Sequence, residues 1–255
     1  MIKRWSMKNK VDLFISPSYF NAELHRQHGF LKNGHCAVVP LGINMDFHKN
    51  KDSAIFQGQD NSINLLYLGQ IVSHKGLSVL AEAFKAARRE DLTLHIAGRG
   101  DYVGQIRNAL KGCDNVDFHG HVSGEEKERL FSQSHVFVLP SICYDNAPVT
   151  IPEAYAYGLP VIGSRIGGIP EMIRENKTGF LFDPGDVSGL ASLLQSISLE
   201  KLRRMSPDCQ KAAEQYRMEN HLEKLLALYS DLIGLGRKKE LPPKAVEEQG
   251  KQALG

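Results

Sequence analysis

Between residues 63 and 182, short apolar segments alternate with amphipathic ones. INLLYLG (63–69), LTLHIAG (92–98), NVDFHG (115–120), HVFVLPS (135–141), LPVIGS (159–164) and TGFLF (178–182) read as strands. The intervening segments 77–90, 102–112, 125–134, 148–158 and 169–175 carry helical spacing. Strands alternating with helices argue for βαβ units and a mainly parallel sheet. Cores such as LLYLG and VFVLP are apolar throughout, as strands covered on both faces must be. The pattern predicts an α/β fold, a doubly wound parallel sheet with helices on both faces.

The flanks differ. VDLFIS (11–16) and HCAVVP (35–40) read as strands around a helix at 19–28, with Gly29 as its stop. These are too few elements for an independent core, so residues 1–45 read as the end of a preceding domain. Segment 41–62 is polar and irregular, as a linker is. Helical spacing resumes at 186–197, 199–215 and 217–233, and the charged, Pro-Pro-bearing tail 237–255 reads as a disordered end.

With 42% hydrophobic and 24% charged residues among 255, the chain lies far from disordered compositions. Lys plus Arg number 31 against 29 Asp plus Glu, a net +2 that gives no electrostatic reason to expect nucleic acid. Cysteines stand at 36, 113, 143 and 209, with no C-x-x-C pair and no zinc spacing. They read as reduced thiols. The opening MIKRWSMKNKVD lacks the apolar stretch of a signal peptide, and no run of about 18 apolar residues exists. The expected location is cytoplasmic, with contact at a membrane surface left open.

Ligands of open parallel sheets bind beyond the carboxyl ends of the strands. The loop GQIVSHKG (69–76) offers Gly69, Gln70 and Lys75 to a phosphate; a Lys75 that merely opens a helix in solvent is the plain alternative. The loop AGRGDYVG (97–104) carries Gly98 and Gly100, but Val103 occupies the third glycine position of the dinucleotide fingerprint, which disfavours a nicotinamide cofactor. A tight strand-to-helix turn is the competing explanation for those glycines. In GHVSGEE (120–126), Ser123 and Glu126 fit a capping box. In SICYDNAPVTIPEAYAYGLPV, Pro148 can open a helix whose N–H groups, Ala147 to Thr150, would form an anion site. Asp145 would stand near that anion, and Glu153 could reach the hydroxyls of an attached ribose. A cap at Asp145 and an exposed helix position at Glu153 are the alternatives. Pro152 is awkward inside such a helix. In SRIGGIPE, Gly167 and Gly168 leave N–H groups to line the same crevice.

Taken in order, G-x(6)-G with Lys75, HIAGRGD, FHGHVS, PS-x(3)-D-x(7)-E-A, GLPVIGSRIGGIPE and TGFLFDPGD resemble the family 4, GT-B-fold, retaining glycosyltransferases in their donor-binding half. The likeness covers residues 11–233 and is most specific over 145–185. It implies a Rossmann-like donor domain at 46–215, preceded by a remnant of an acceptor domain at 1–45 and followed by a returning helix at 216–235 and a tail at 236–255.

The resemblance implies that Lys75 contacts the donor diphosphate, with Gln70 standing where the family often has arginine. Gly69, Gly98 and Gly100 would lie by the nucleotide, and Val122 would flank the base through its backbone. Glu153 matches the second acid of the family's E-x(7)-E motif and would bind ribose hydroxyls. Asp145 matches the first, usually glutamate, beside the donor sugar. Ala147 and Pro148 replace a glycine-containing segment, and Val149 and Thr150 would place N–H groups near the phosphates. The implied reaction moves a sugar from a UDP- or GDP-sugar to a glycan or lipid-linked acceptor with retention, needing no cofactor and no metal. The family's glycine-rich acceptor loop is absent. A binding fragment without turnover, or one half of a split enzyme with a separate acceptor-domain partner, is the competing expectation.

Overall fold

The computed structural model describes residues 11–31, 35–44 and 62–235. The sequence-predicted linker, apart from 41–44 and residue 62, and the charged tail lie outside the described residues. The chain divides into two compact units, one of residues 1–44 with 216–255 and one of residues 45–215.

The larger unit is a six-stranded parallel sheet. Its strands are β3 (Ile63–Leu68), β4 (Leu92–Ala97), β5 (Val116–Gly120), β6 (Val136–Leu139), β7 (Val161–Ser164) and β8 (Gly179–Phe182). Its helices are α2 (Leu77–Ala87), α3 (Val103–Ala109), α4 (Gly124–Gln133), α5 (Thr150–Ala156), α6 (Ile169–Met172), α7 (Val187–Ser196) and α8 (Leu199–Ala213). The chain builds outward from β3 through β4 to β5, then returns to the other side of β3 for β6 to β8. The strand order therefore reverses between β3 and β6, where such sheets open a crevice.

The two sheet faces are sorted by side-chain alternation. Ile63, Leu65 and Tyr67 of β3, with Leu92, Leu94 and Ile96 of β4, join α2, α3, α7 and α8 in one core. On the opposite face Phe137 meets Phe131 of α4 at 6.0 Å between ring centres, and Phe131 stacks on Tyr157 at 5.2 Å. Helix α7 is held at both ends. Asp186 caps its start by accepting the Gly189 N–H at 2.9 Å, and Arg89 donates to the carbonyls of Leu194 and Ile197 at 2.9 and 2.6 Å.

The smaller unit holds β1 (Leu13–Ser16), α1 (Tyr19–Gln27) and β2 (His35–Val38), with β1 and β2 parallel, as the sequence predicts for this segment. Ser18 caps α1, accepting the Asn21 N–H at 3.2 Å. Helix α9 (Met218–Leu235) belongs to the same unit. His221 of α9 donates from Nδ1 to the Pro40 carbonyl at 2.8 Å, and the Ile43 N–H reaches the Tyr216 carbonyl at 2.8 Å. No helix of the described residues is long and apolar enough to cross a membrane.

Candidate functional site

The loops that leave the carboxyl ends of β3, β4, β6 and β7 are stitched together by main-chain hydrogen bonds. Ile71 N–H donates to Arg99 O at 2.9 Å, and Tyr102 N–H returns to Ile71 O at 3.0 Å. Ile142 N–H reaches His74 O at 3.1 Å, across the strand-order reversal. Gly168 N–H donates to Asp145 O at 2.7 Å, so that amide is not left to line the crevice as the sequence suggested.

These close approaches account for the glycines. A Cβ on Gly98, whose φ is +147°, would meet the Gly69 carbonyl oxygen at 1.8 Å. A Cβ on Gly100 would meet Ile71 O at 2.0 Å. The tight-turn explanation therefore suffices for Gly98 and Gly100 whether or not a ligand approaches. Gly76, at φ +70°, is needed in the same way against Pro140 O at 1.8 Å.

Two ion pairs occupy the crevice. Lys75 ends a short 3-10 turn, Ser73–Lys75, and its Nζ lies 2.5 Å from Asp145 Oδ1. Their side chains are 23% and 16% exposed, so Lys75 does not stand in open solvent. Asp145 Oδ2 accepts the Ser141 hydroxyl at 2.5 Å. Asp145 is no helix cap, because α5 begins at Thr150 with Val149 in the cap position. Burial, and then the Asp145 charge, push the Tyr67 phenol well above its ordinary pKa. Tyr67 stays neutral and donates to the Gln70 carbonyl at 2.6 Å, fixing the first loop.

The second pair joins Glu153 to Lys127 of α4, Nζ to Oε1 at 2.7 Å, with side chains 15% and 30% exposed. Glu153 is thus drawn inward, contrary to the exposed-helix alternative. Its Oε2 is buried and has no hydrogen-bond partner among the described residues. Lys127 carried no signal in the sequence, where it lies among Glu125, Glu126 and Glu128 in a charged helical segment.

A cavity of about 350 Å³ opens beside this second pair. It is lined by Gly69, Gln70, Gly98 and Val122, four of the sequence-predicted residues, and by Arg99, His121 and Lys127, which were not singled out. Lys75, Gly100, Asp145 and the 147–150 segment are not among its lining residues. Pro148 lies two positions before α5 rather than inside it. That placement removes the difficulty with Pro152, now in the first helical turn, where N–H groups lack helical partners anyway. It also shortens α5 to seven residues, which weakens the expected anion site over Ala147, Pro148, Val149 and Thr150. Ser123 does sit at the cap position of α4, but its side chain makes no capping bond.

A family model described as glycosyl transferases group 1 matches residues 62–198. The amylovoran biosynthesis glycosyltransferase AmsK of Erwinia amylovora is 32% identical over 146 residues, which cover 53% of this chain and 36% of that protein. Among solved structures, sucrose-phosphate synthase of Thermosynechococcus elongatus superposes with a TM-score of 0.78 at 23% identity, covering 92% of this chain and 61% of that one. Anabaena HepE in complex with UDP-glucose superposes at 0.73 and 19% identity, covering 90% and 66%. These two likenesses establish the fold, a parallel sheet of the GT-B type. The chain spans about a third of the length of this curated relative.

Proposed function

This chain belongs to the group 1 glycosyl transferases, and on that premise we propose that it carries the donor site of a retaining glycosyltransferase. The donor is a UDP- or GDP-sugar, and the acceptor is a glycan or a lipid-linked glycan. AmsK's role in amylovoran biosynthesis and HepE's capture with UDP-glucose support that class of acceptor and donor.

The observation that carries this reading is Glu153. A buried carboxylate oxygen without a partner costs about 1–3 kcal/mol, more for a charged group, so its persistence calls for an occupant. Oε2 can only accept when ionised, and a vicinal diol supplies hydroxyl donors. Lys127 holds Oε1 and so turns the carboxylate toward its task. A ribose at Glu153 would set its base toward the cavity lined by Gly98, Arg99 and Val122. Lys75 has three N–H donors and spends one on Asp145, which leaves two for diphosphate oxygens. In the transfer, the bond from the sugar's anomeric carbon to the diphosphate breaks and the acceptor oxygen bonds to that carbon on the same face. The acceptor proton leaves with the diphosphate, whose developing charge Lys75 stabilises.

A second reading, binding of the nucleotide sugar without turnover, is favoured by Asp145. Both of its carboxylate oxygens are already engaged, by Lys75 and by Ser141. Turnover of sugar nucleotide by the chain, alone or with an acceptor-domain partner, separates the two.

The donor reading is tested by calorimetry with UDP and its 2′,3′-dideoxy analogue, and with the GDP pair. The ribonucleotide is expected to bind at least about tenfold more tightly, and Glu153→Gln to erase the difference. Equal binding of the ribo and dideoxy forms by the unaltered chain would refute the assignment of Glu153.

A further inference from the structure

A separate cluster stands on the other side of β4. Parallel pairing sets His95 of β4 opposite Asp117 of β5. Asp117 and His119 are two apart and share a strand face. The register slips after Phe118, so that Ala97 pairs with Gly120 and His119 becomes the extra residue of a β-bulge. Bulges re-aim a side chain, and this one brings His119 to His95.

The two distances from His95 are those of a coordination shell. His95 Nδ1 lies 3.2 Å from His119 Nε2 and 3.3 Å from Asp117 Oδ2. All three donor atoms fall within 4.8 Å of one another. Zinc–nitrogen and zinc–oxygen bonds of about 2.0–2.1 Å at tetrahedral angles require ligand atoms about 3.3–3.4 Å apart. Hydrogen bonding serves the cluster less well. An imidazole nitrogen carries at most one proton, so Nδ1 cannot donate to a carboxylate and to a second imidazole along two straight lines. A cation accepts lone pairs from all three at once.

We propose that His95, Asp117 and His119 form a three-ligand site for a divalent cation of the zinc class, with a fourth position open to water. Two imidazoles and one carboxylate are the ligand set that such ions favour over magnesium or calcium. The ion would clamp the edge strand β5 to β4. His121, two residues further on, lines the cavity described above, so the clamp would fix that wall as well. Arg129 places positive charge toward His95, which opposes a cation there. The proposal does not depend on the donor reading, and its test uses no nucleotide.

The experiment titrates zinc chloride into the full chain, freed of metal by chelator, and follows heat and thermal midpoint. The expected result is one ion per chain and a midpoint raised by about 5 °C at about a hundredfold excess over Kd. His119→Ala and Asp117→Asn should each weaken binding by about tenfold or more. Asp117 is exposed, so its variant keeps the fold while removing a ligand. Cobalt should bind with the spectrum of a nitrogen–oxygen tetrahedral site. Absence of binding, affinity unchanged in both variants, or a cobalt spectrum dominated by thiolate charge transfer would overturn the assignment.

Discussion

Removing the ammonium of Lys127 should hurt more than neutralising its partner. At 2.7 Å and an effective dielectric constant of about 20, the Lys127–Glu153 attraction is about 6 kcal/mol before desolvation is charged against it. Breaking a fully buried pair costs about 3–5 kcal/mol, and a solvent-exposed pair is worth about 0–1. Side chains 30% and 15% exposed place this pair between those limits, at about 2 kcal/mol. The two partners differ, however. An unpaired Lys127 can swing its long stem outward, whereas Glu153 already has one buried oxygen unsatisfied. Lys127→Met, which keeps the stem against Phe131, should therefore lower unfolding stability by about 2 kcal/mol, and Glu153→Gln by less than about 1. The double variant should resemble Glu153→Gln alone. Urea denaturation followed by far-ultraviolet circular dichroism of the four chains completes the cycle. A Lys127→Met loss under about 0.5 kcal/mol, or a larger loss in Glu153→Gln, would refute the account of a buried carboxylate held by Lys127.

Three further outcomes follow from the same geometry. Gly98→Ala drives a methyl group into the Gly69 carbonyl at positive φ and should cost about 3 kcal/mol or more, while Gly104→Ala, with nothing within 4 Å, should gain about 0.5–1, as denaturation midpoints will show. Burial pushes the thiols of Cys209 and Cys36 up, so iodoacetamide at neutral pH should modify the part-exposed Cys113 and Cys143 first, read by mass spectrometry of the folded chain. Hydrogen bonds from the Ser188 hydroxyl and then the Gly189 N–H hold the Asp186 carboxyl below the ordinary 3.8. Its capping of α7 is thus complete above 3.8 and is lost as pH falls through the lowered folded value. Amide exchange at the start of α7 should rise, relative to Asp186→Asn, in that acid window; a pH dependence equal in both chains would sink this explanation.

The sheet was legible because its signal is local. Strands such as LLYLG and VFVLP declare their two-sided burial, and the helices between them carry their own period. The start of α5 was misplaced because Pro148 is a good helix opener, while the structure delays the helix to Thr150 and gives Pro152 the first-turn place instead. Lys127 was invisible because its meaning depends on a partner 26 positions away. The His95, Asp117 and His119 cluster was hidden for a related reason, since it exists only once β4 and β5 take their register and the bulge turns His119. The glycines show the reverse, a motif that was seen but whose conformational demand is met inside the protein, at Gly98 against Gly69 and at Gly167 against Asp145.

The proposed donor site binds a nucleoside diphosphate, with Glu153 on the ribose and Lys75 on the diphosphate. Calorimetric titration of the chain with UDP, GDP, ADP and NAD, repeated on Lys75→Met after circular dichroism has confirmed its fold, tests this site. The expected result is one-to-one binding of a nucleoside diphosphate, weakened at least about tenfold by the substitution, and no comparable binding of NAD. Binding of NAD in preference to every diphosphate, or nucleotide binding that Lys75→Met leaves unchanged, would contradict it.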